Sequence, residues 1–178
     1  MLDSILEDCR KQLRAALKYK KHAFRFFTLA TQKENGSSQL RTVVLRDFHP
    51  RLMQFTIFTD SRSQKVIQLT NNEHAQFLFY DAARMIQLII EAKIIEITRD
   101  TSIYDSLPEP NKKDYSGIQI PGTPIDSPDK ITHDFSKAHL TKLTFQAHKL
   151  EYLRLKRPNH IRAAFNLSNQ WKGQFLAP

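Results

Sequence analysis

What this sequence lacks narrows its identity before any motif is read. The chain holds one cysteine, Cys9, so no intramolecular disulfide can form, and a reducing, cytoplasmic setting is expected. Four glycines and eight prolines exclude a collagen-like or low-complexity chain. No apolar run approaches the roughly 18 residues of a membrane helix. The N-terminal residues carry acids and bases where a signal peptide would be apolar, so neither membrane nor export is expected. Seven histidines are present, but none has H-x-H or i, i+4 spacing. With a single thiol beside them, no metal site is expected. There is no G-x-S-x-G elbow, no Walker motif and no glycine-rich dinucleotide loop. Any phosphate site must therefore be built from other parts.

What is present reads as a globular domain spanning 1–178, with 40% apolar residues and 10% aromatics. The net charge of +9 is spread over scattered lysines and arginines. That pattern suits a solvated basic surface or a bias toward phosphorylated small molecules. No arginine-rich tail or RNA-binding motif accompanies it, so no nucleic-acid partner is expected.

Leu2, Ile5, Leu6, Cys9, Leu13, Ala16 and Leu17 recur at helical spacing, which predicts an amphipathic packing helix within residues 1–20, capped by Asp3 or Ser4. From Ala23 onward the period changes. FRFFTLAT, LRTVVLRDF and MQFTIFTD read as strands, the first pair joined through an Asn35-Gly36 turn. A short helix from Asp60 or Ser61 follows, then strands HAQFLFYD and MIQLIIEAKIIEITRD. Thr101 opens another short helix, and residues 108–134, rich in proline and glycine, read as a long loop. Strands resume with HLTKLTFQAHKLEYLRLK, HIRAAFNL and WKGQFLA. Many strands and few helices predict a mainly β (α+β) fold, an antiparallel barrel with a few flanking helices.

The stretch from Arg41 to Lys65 concentrates the chemistry. Arg41, Arg46, Arg62 and Lys65 are joined there by the hydroxyls of Thr59, Ser61 and Ser63. A helix start, hydroxyls and cations together make an anion site. Arg41 and Arg46 lie five apart, so on one strand they face opposite ways, and Arg46 is set aside.

At this point the motifs resemble a known family. FFTLAT at 26–31, RTVVLR at 41–46, FTDSRSQK at 58–65, NEHAQFLFYD at 72–81, Gln87, EYLRLKRPNHIRAAF at 151–165, Trp171 and the LAP at 176–178 occur in the order and at the distances of the FMN-binding split barrels related to pyridoxamine 5'-phosphate oxidase, in particular their short subgroup. The resemblance implies a six-stranded antiparallel split β-barrel that forms a homodimer with FMN at the subunit interface. It implies that Arg41 and Lys65 hold the FMN phosphate, with Ser63 and Arg62 beside them. The backbone of Thr42, Val43, Val44 and Leu45 would line the flavin ring, and Phe58 and Thr59 would flank the ribityl chain. Gln87 would reach the flavin from the partner subunit, and Arg162 and Trp171 would lie near the ring. For substrate contacts, Arg51 falls near a family lysine and His160 matches a histidine.

Departures from the family pattern are concentrated on the substrate side. Ile89 stands where the authentic oxidase carries an arginine, and Glu91-Ala92 replaces a glycine. Gln64 interrupts the serine–arginine–lysine run. The tyrosine, arginine and serine with which the family grips the substrate phosphate have no clear match here; Tyr104, Lys112 and Tyr115 are the only stand-ins in that stretch. The implied activity is FMN-dependent oxidoreduction of a small molecule, with phosphorylated compounds among the candidates. A non-catalytic flavin-binding or storage protein, a flavin or quinone reductase, and a domain without cofactor are the alternatives.

Overall fold

The computed structural model describes residues 1–99 and 101–178. Helix α1, Leu2–Lys18, buries Leu6, Cys9, Leu13 and Ala16 on the predicted stripe. Neither expected cap operates. The helix already begins at Leu2, and the Ser4 hydroxyl donates to the Met1 carbonyl at 2.7 Å.

Nine strands form one antiparallel sheet among the described residues. Six carry the barrel in the order β2 (Ser38–Val44), β1 (Phe26–Gln32), β5 (His74–Asp81), β6 (Ile86–Thr98), β7 (Leu140–Arg154) and β4 (Gln54–Asp60). Three shorter strands extend the expected count of six. They are β3 (Asp47–His49) beside β4, β8 (Ile161–Asn166) beside β7, and β9 (Gly173–Leu176) beside β8. The predicted strand LRTVVLRDF is divided, since β2 stops at Val44 and β3 starts at Asp47. That break closes the barrel. β2 and β3 lie at opposite ends of the sheet order yet only Leu45 and Arg46 join them, so the two edges must meet. The Leu45 N–H bonds back to Arg25 and the Arg46 N–H crosses to Thr56 of β4, both at 2.9 Å.

Alternation explains the packing. β5 buries Ala75, Phe77 and Phe79 and turns His74, Gln76, Leu78 and Tyr80 outward. Phe27 stacks on Phe79 at 4.5 Å and Phe77 meets Phe145 edge-on at 5.1 Å, so the barrel interior is an aromatic cluster. Each such side chain contributes about 1.5–3 kcal/mol by burial. Register shifts at Glu91/Ala92 and Ile94/Glu96 bend β6 around the barrel.

Helix α2, Gln64–Asn71, covers one end of the barrel and inserts Leu69 into the core. Residues 101–115 add helical turns, α3 (Thr101–Ser106), α4 (Glu109–Lys112) and a last turn Lys113–Tyr115; Tyr104 of α3 and Tyr115 of that last turn form a second small core with Leu140. The predicted loop 108–134 is thus partly ordered by packing. A bridge between Gly117 and His133 draws its two arms together. No helix among the described residues is long and apolar enough to cross a membrane.

Candidate functional site

Strand parity puts Arg41 on the inner face of β2 together with Val43. The inner face there gives way to α2, and the guanidinium is left among neutral acceptors. It donates to the Thr31 hydroxyl at 2.5 Å, the Leu29 carbonyl at 3.4 Å and Gln68 Oε1 at 3.2 Å. Lys65, in the first turn of α2, donates to the hydroxyls of Thr59 at 2.8 Å and Ser63 at 3.2 Å. Neither cation forms an ion pair among the described residues. Burial holds both pKa values below their ordinary levels, and the Arg41 charge depresses Lys65 further, against an opposing pull from Asp60. Two half-buried cations close enough to repel, with only hydroxyls and amides around them, form a site short of one anion.

Beside Lys65 lies a cavity of about 290 Å³. Thr42, Val43 and Val44 of β2 form one wall, and Phe58, Thr59 and Asp60 of β4 form another. Ser63 and Lys65 close its end, while Asp114, Tyr115 and Pro121 cover it from the 113–122 segment. Its walls are an apolar strand and an aromatic ring with cations at the margins. That combination suits a flat apolar ring system bearing an anionic tail.

Arg46 also lines this cavity, although strand parity had set it aside. Parity does not apply to it because β2 ends two residues earlier and its N–H belongs to the bridge with β4. Its guanidinium lies 5.8 Å from the Phe58 ring centroid, and its Nε is buried without a hydrogen-bond partner among the described residues. Burial raises the Tyr115 hydroxyl pKa, an effect the nearby Arg46 charge opposes. Asp114 and Pro121 are cavity residues that the sequence did not single out, Arg46 was set aside, and Tyr115 was named only as a stand-in on the substrate side. The sequence marked neither the strand break at Leu45–Arg46 nor the packing of the 113–122 segment over the cavity.

The other predicted residues take separate places. Arg62 chelates Asp60 through Nε at 3.0 Å and an Nη at 2.7 Å, and donates to the carbonyls of Gly117 at 2.7 Å and Ile118 at 3.2 Å. Its donors clamp the 117–119 segment instead of facing the cavity. Arg51 lines a different cavity, with Arg10, Arg14 and Lys18 of α1. His160 is exposed in the turn before β8, where Nδ1 accepts from the Lys156 N–H at 3.1 Å. Trp171 is buried in the main core. Gln87 and Arg162 lie on the outer face of the sheet, one on each side of Leu153 in register, and Arg162 pairs with Glu151 at 2.7 Å.

Fold and site together define a split-barrel protein with a cation-bordered cavity at one barrel end. The chain belongs to the family of the pyridoxamine 5'-phosphate oxidase FMN-binding domain, whose profile matches residues 7–98. No curated protein matches it. Among solved structures, a pyridoxamine 5'-phosphate oxidase-related, FMN-binding protein from Nostoc punctiforme is 18% identical, with a TM-score of 0.77 and 96% of each chain covered. PhzG from Burkholderia lata, solved with tetrahydrophenazine-1-carboxylic acid, is 16% identical with a TM-score of 0.76, covering 96% of this chain and 90% of its own. A general stress protein 26-related protein from Clostridium acetobutylicum is 15% identical at a TM-score of 0.61, covering 94% and 98% respectively. At these identities the likeness establishes the fold.

Proposed function

We propose that this chain binds FMN as a homodimer and acts as an FMN-dependent oxidoreductase on a small anionic substrate. The observation that carries the reading is the pair Arg41 and Lys65, half-buried, with the Arg41 charge depressing Lys65, and in no ion pair among the described residues. A phosphate dianion would remove their repulsion and offset the cost of their burial. Ser63 and Thr59 add hydroxyl donors beside them. The backbone from Thr42 through Leu45, just past the end of β2, and the Phe58 ring would cover the flavin. Bound FMN would supply a two-electron acceptor, and the protein's part is to hold it and orient the substrate.

Arg46 and Tyr115, on the far side of the same cavity, would receive the anionic group of the substrate. Arg62 would keep the 117–119 segment folded over the site through Asp60.

The dimer is supported by the outer face of the sheet. Phe26 and Tyr80 are about half exposed, at 54% and 47%, and Leu78 is 40% exposed. They continue across the strands into half-buried Ile89 and Leu153. An apolar surface of this kind marks an interface. Gln87 lies within it, where it could reach the other subunit's flavin, and Arg162 lies at its edge. A cavity of about 290 Å³ is also small for a whole flavin nucleotide, which a second subunit would complete.

The test is flavin titration of the purified dimer, followed by anaerobic reduction with pyridoxine phosphate, NADH or NADPH. Saturable FMN binding with bleaching by a phosphorylated substrate supports the oxidoreductase. Bleaching by a nicotinamide cofactor alone assigns a reductase, and binding without bleaching assigns flavin storage. No FMN binding at all overturns the proposal.

A further inference from the structure

A second cavity, about 750 Å³, adjoins the Arg41 cradle between α2 and the β1–β2 turn. The two sites share a wall. Gln68 accepts from Arg41 on one side, and its amide nitrogen donates to Gln39 Oε1 at 2.6 Å on the other. Gln39 and Arg41 are two apart on β2, and Gln64 precedes Lys65 on α2, so the cavity begins where the cradle ends. Its lining is dominated by side-chain amides, with Ile67 as a 48% exposed apolar surface among them. The side-chain amides of Gln64 and Asn71 make no hydrogen bond among the described residues and offer whole donor–acceptor pairs. An anion would call for charge, and an apolar ligand would call for a greasy wall. Neutral amides around an aliphatic surface fit a purine, whose face packs on carbon and whose edge presents alternating donors and acceptors. Lys33, in the β1–β2 turn and in no ion pair among the described residues, stands at the margin where a second phosphate would pass, and the carboxylate of its neighbour Glu34, also in the lining, can accept from ribose hydroxyls.

We infer that this cavity seats the adenosine half of a flavin adenine dinucleotide, so that the cofactor site takes the dinucleotide as well as FMN. The inference rests on the proposed flavin site. The pyrophosphate would carry no more charge than the FMN phosphate, so Arg41 and Lys65 serve either, and the amides supply the added recognition.

Flavin fluorescence titrations with FMN and with FAD, on the native protein and on the Gln64→Ala/Asn71→Ala double variant, test it. Both residues are exposed and outside the phosphate cradle, and circular dichroism checks that the variant folds. The expected result is FAD bound at least as tightly as FMN, with FAD affinity falling about tenfold in the double variant, the scale of two neutral hydrogen bonds, while FMN affinity holds. Tight FMN binding with FAD excluded, or with equal affinities that the variant does not separate, overturns the inference and leaves the flavin site standing. AMP binding to the FMN-loaded protein without any preference for FAD would assign the cavity to a separate nucleotide and also overturn it. Loss of both flavins in the native protein would instead remove the underlying reading.

Discussion

Lys65→Met should separate function from stability in opposite directions. The methionine keeps the unbranched stem of lysine and removes the charge. In the free protein that charge is held below its ordinary pKa by burial first and by Arg41 second, with only the hydroxyls of Thr59 and Ser63 to satisfy it. Those two hydroxyls lie 3.2 Å apart and can bond to each other once the ammonium is gone, so no buried donor is stranded. Removing an uncompensated cation from a half-buried site should leave the free protein as stable or up to about 1 kcal/mol more stable. On a chain of this size that is a rise of about 2–4 °C in Tm. The same change deletes a charge-assisted bond to phosphate, at about 1–3 kcal/mol, or roughly a 5- to 150-fold weaker FMN complex. Thermal melts of flavin-free protein and fluorescence titration read the two effects independently. A variant that melts well below the native protein yet keeps its FMN affinity would show that Lys65 is structural and would refute the cradle. The pH dependence follows the same sign. Lys65 titrates below an ordinary lysine when the site is empty, and phosphate binds its protonated form. FMN affinity should therefore be full at neutral pH and fall as pH rises into that depressed range, while deprotonation relieves the free protein of its repulsion.

The remaining predictions use other parts of the molecule. Inorganic phosphate should raise the Tm of the flavin-free protein, and should do so less in Arg41→Gln, because only the folded state holds the paired cations. Arg62→Ala should speed limited proteolysis within 116–120, since its guanidinium bonds the carbonyls of Gly117 and Ile118; unchanged cleavage would remove its clamping role. Cys9, buried on α1 with its pKa pushed up to about 12 chiefly by desolvation, should resist thiol reagents until the protein unfolds. Phe77→Ala, at the centre of the aromatic interior, should cost about 3–5 kcal/mol in denaturant titration.

The barrel was legible because its strands alternate cleanly. β5 shows inward phenylalanines at every second position, and neither helix nor loop chemistry competes with that period. Boundaries at breaks were harder to place. LRTVVLRDF holds no glycine or proline and is rich in apolar and β-branched residues, so its pattern carries no mark of the two residues where the chain leaves one sheet edge for the other. The parity argument against Arg46 failed for that reason alone. Arg41 and Lys65 were readable as cations beside hydroxyls, but their lack of counter-ions was not, since it depends on where every acid in the fold lies. Asp60 illustrates this. It is the nearest acid in sequence to Lys65, and it is turned away by its chelation of Arg62. The cover over the cavity was illegible because Tyr115 is fixed by long-range packing on Tyr104 and Leu140.

The division of labour between Arg62 and Lys65 explains how one short segment serves two ends. Both lie in FTDSRSQK, three residues apart, and both could have met the same acid. Asp60 takes Arg62 in a bidentate pair, which spends one cation on holding the 117–119 segment and frees the other from neutralisation. Had Asp60 paired with Lys65, the cradle would be satisfied without a ligand and Arg41 alone would face the anion. The pairing therefore couples the cover of the cavity to the charge of the cradle. Asp60→Asn would weaken the clamp and remove the one acid that raises the pKa of Lys65, leaving its full repulsion with Arg41. A residue that touches neither cation of the cradle thus sets how strongly the empty site favours an anion.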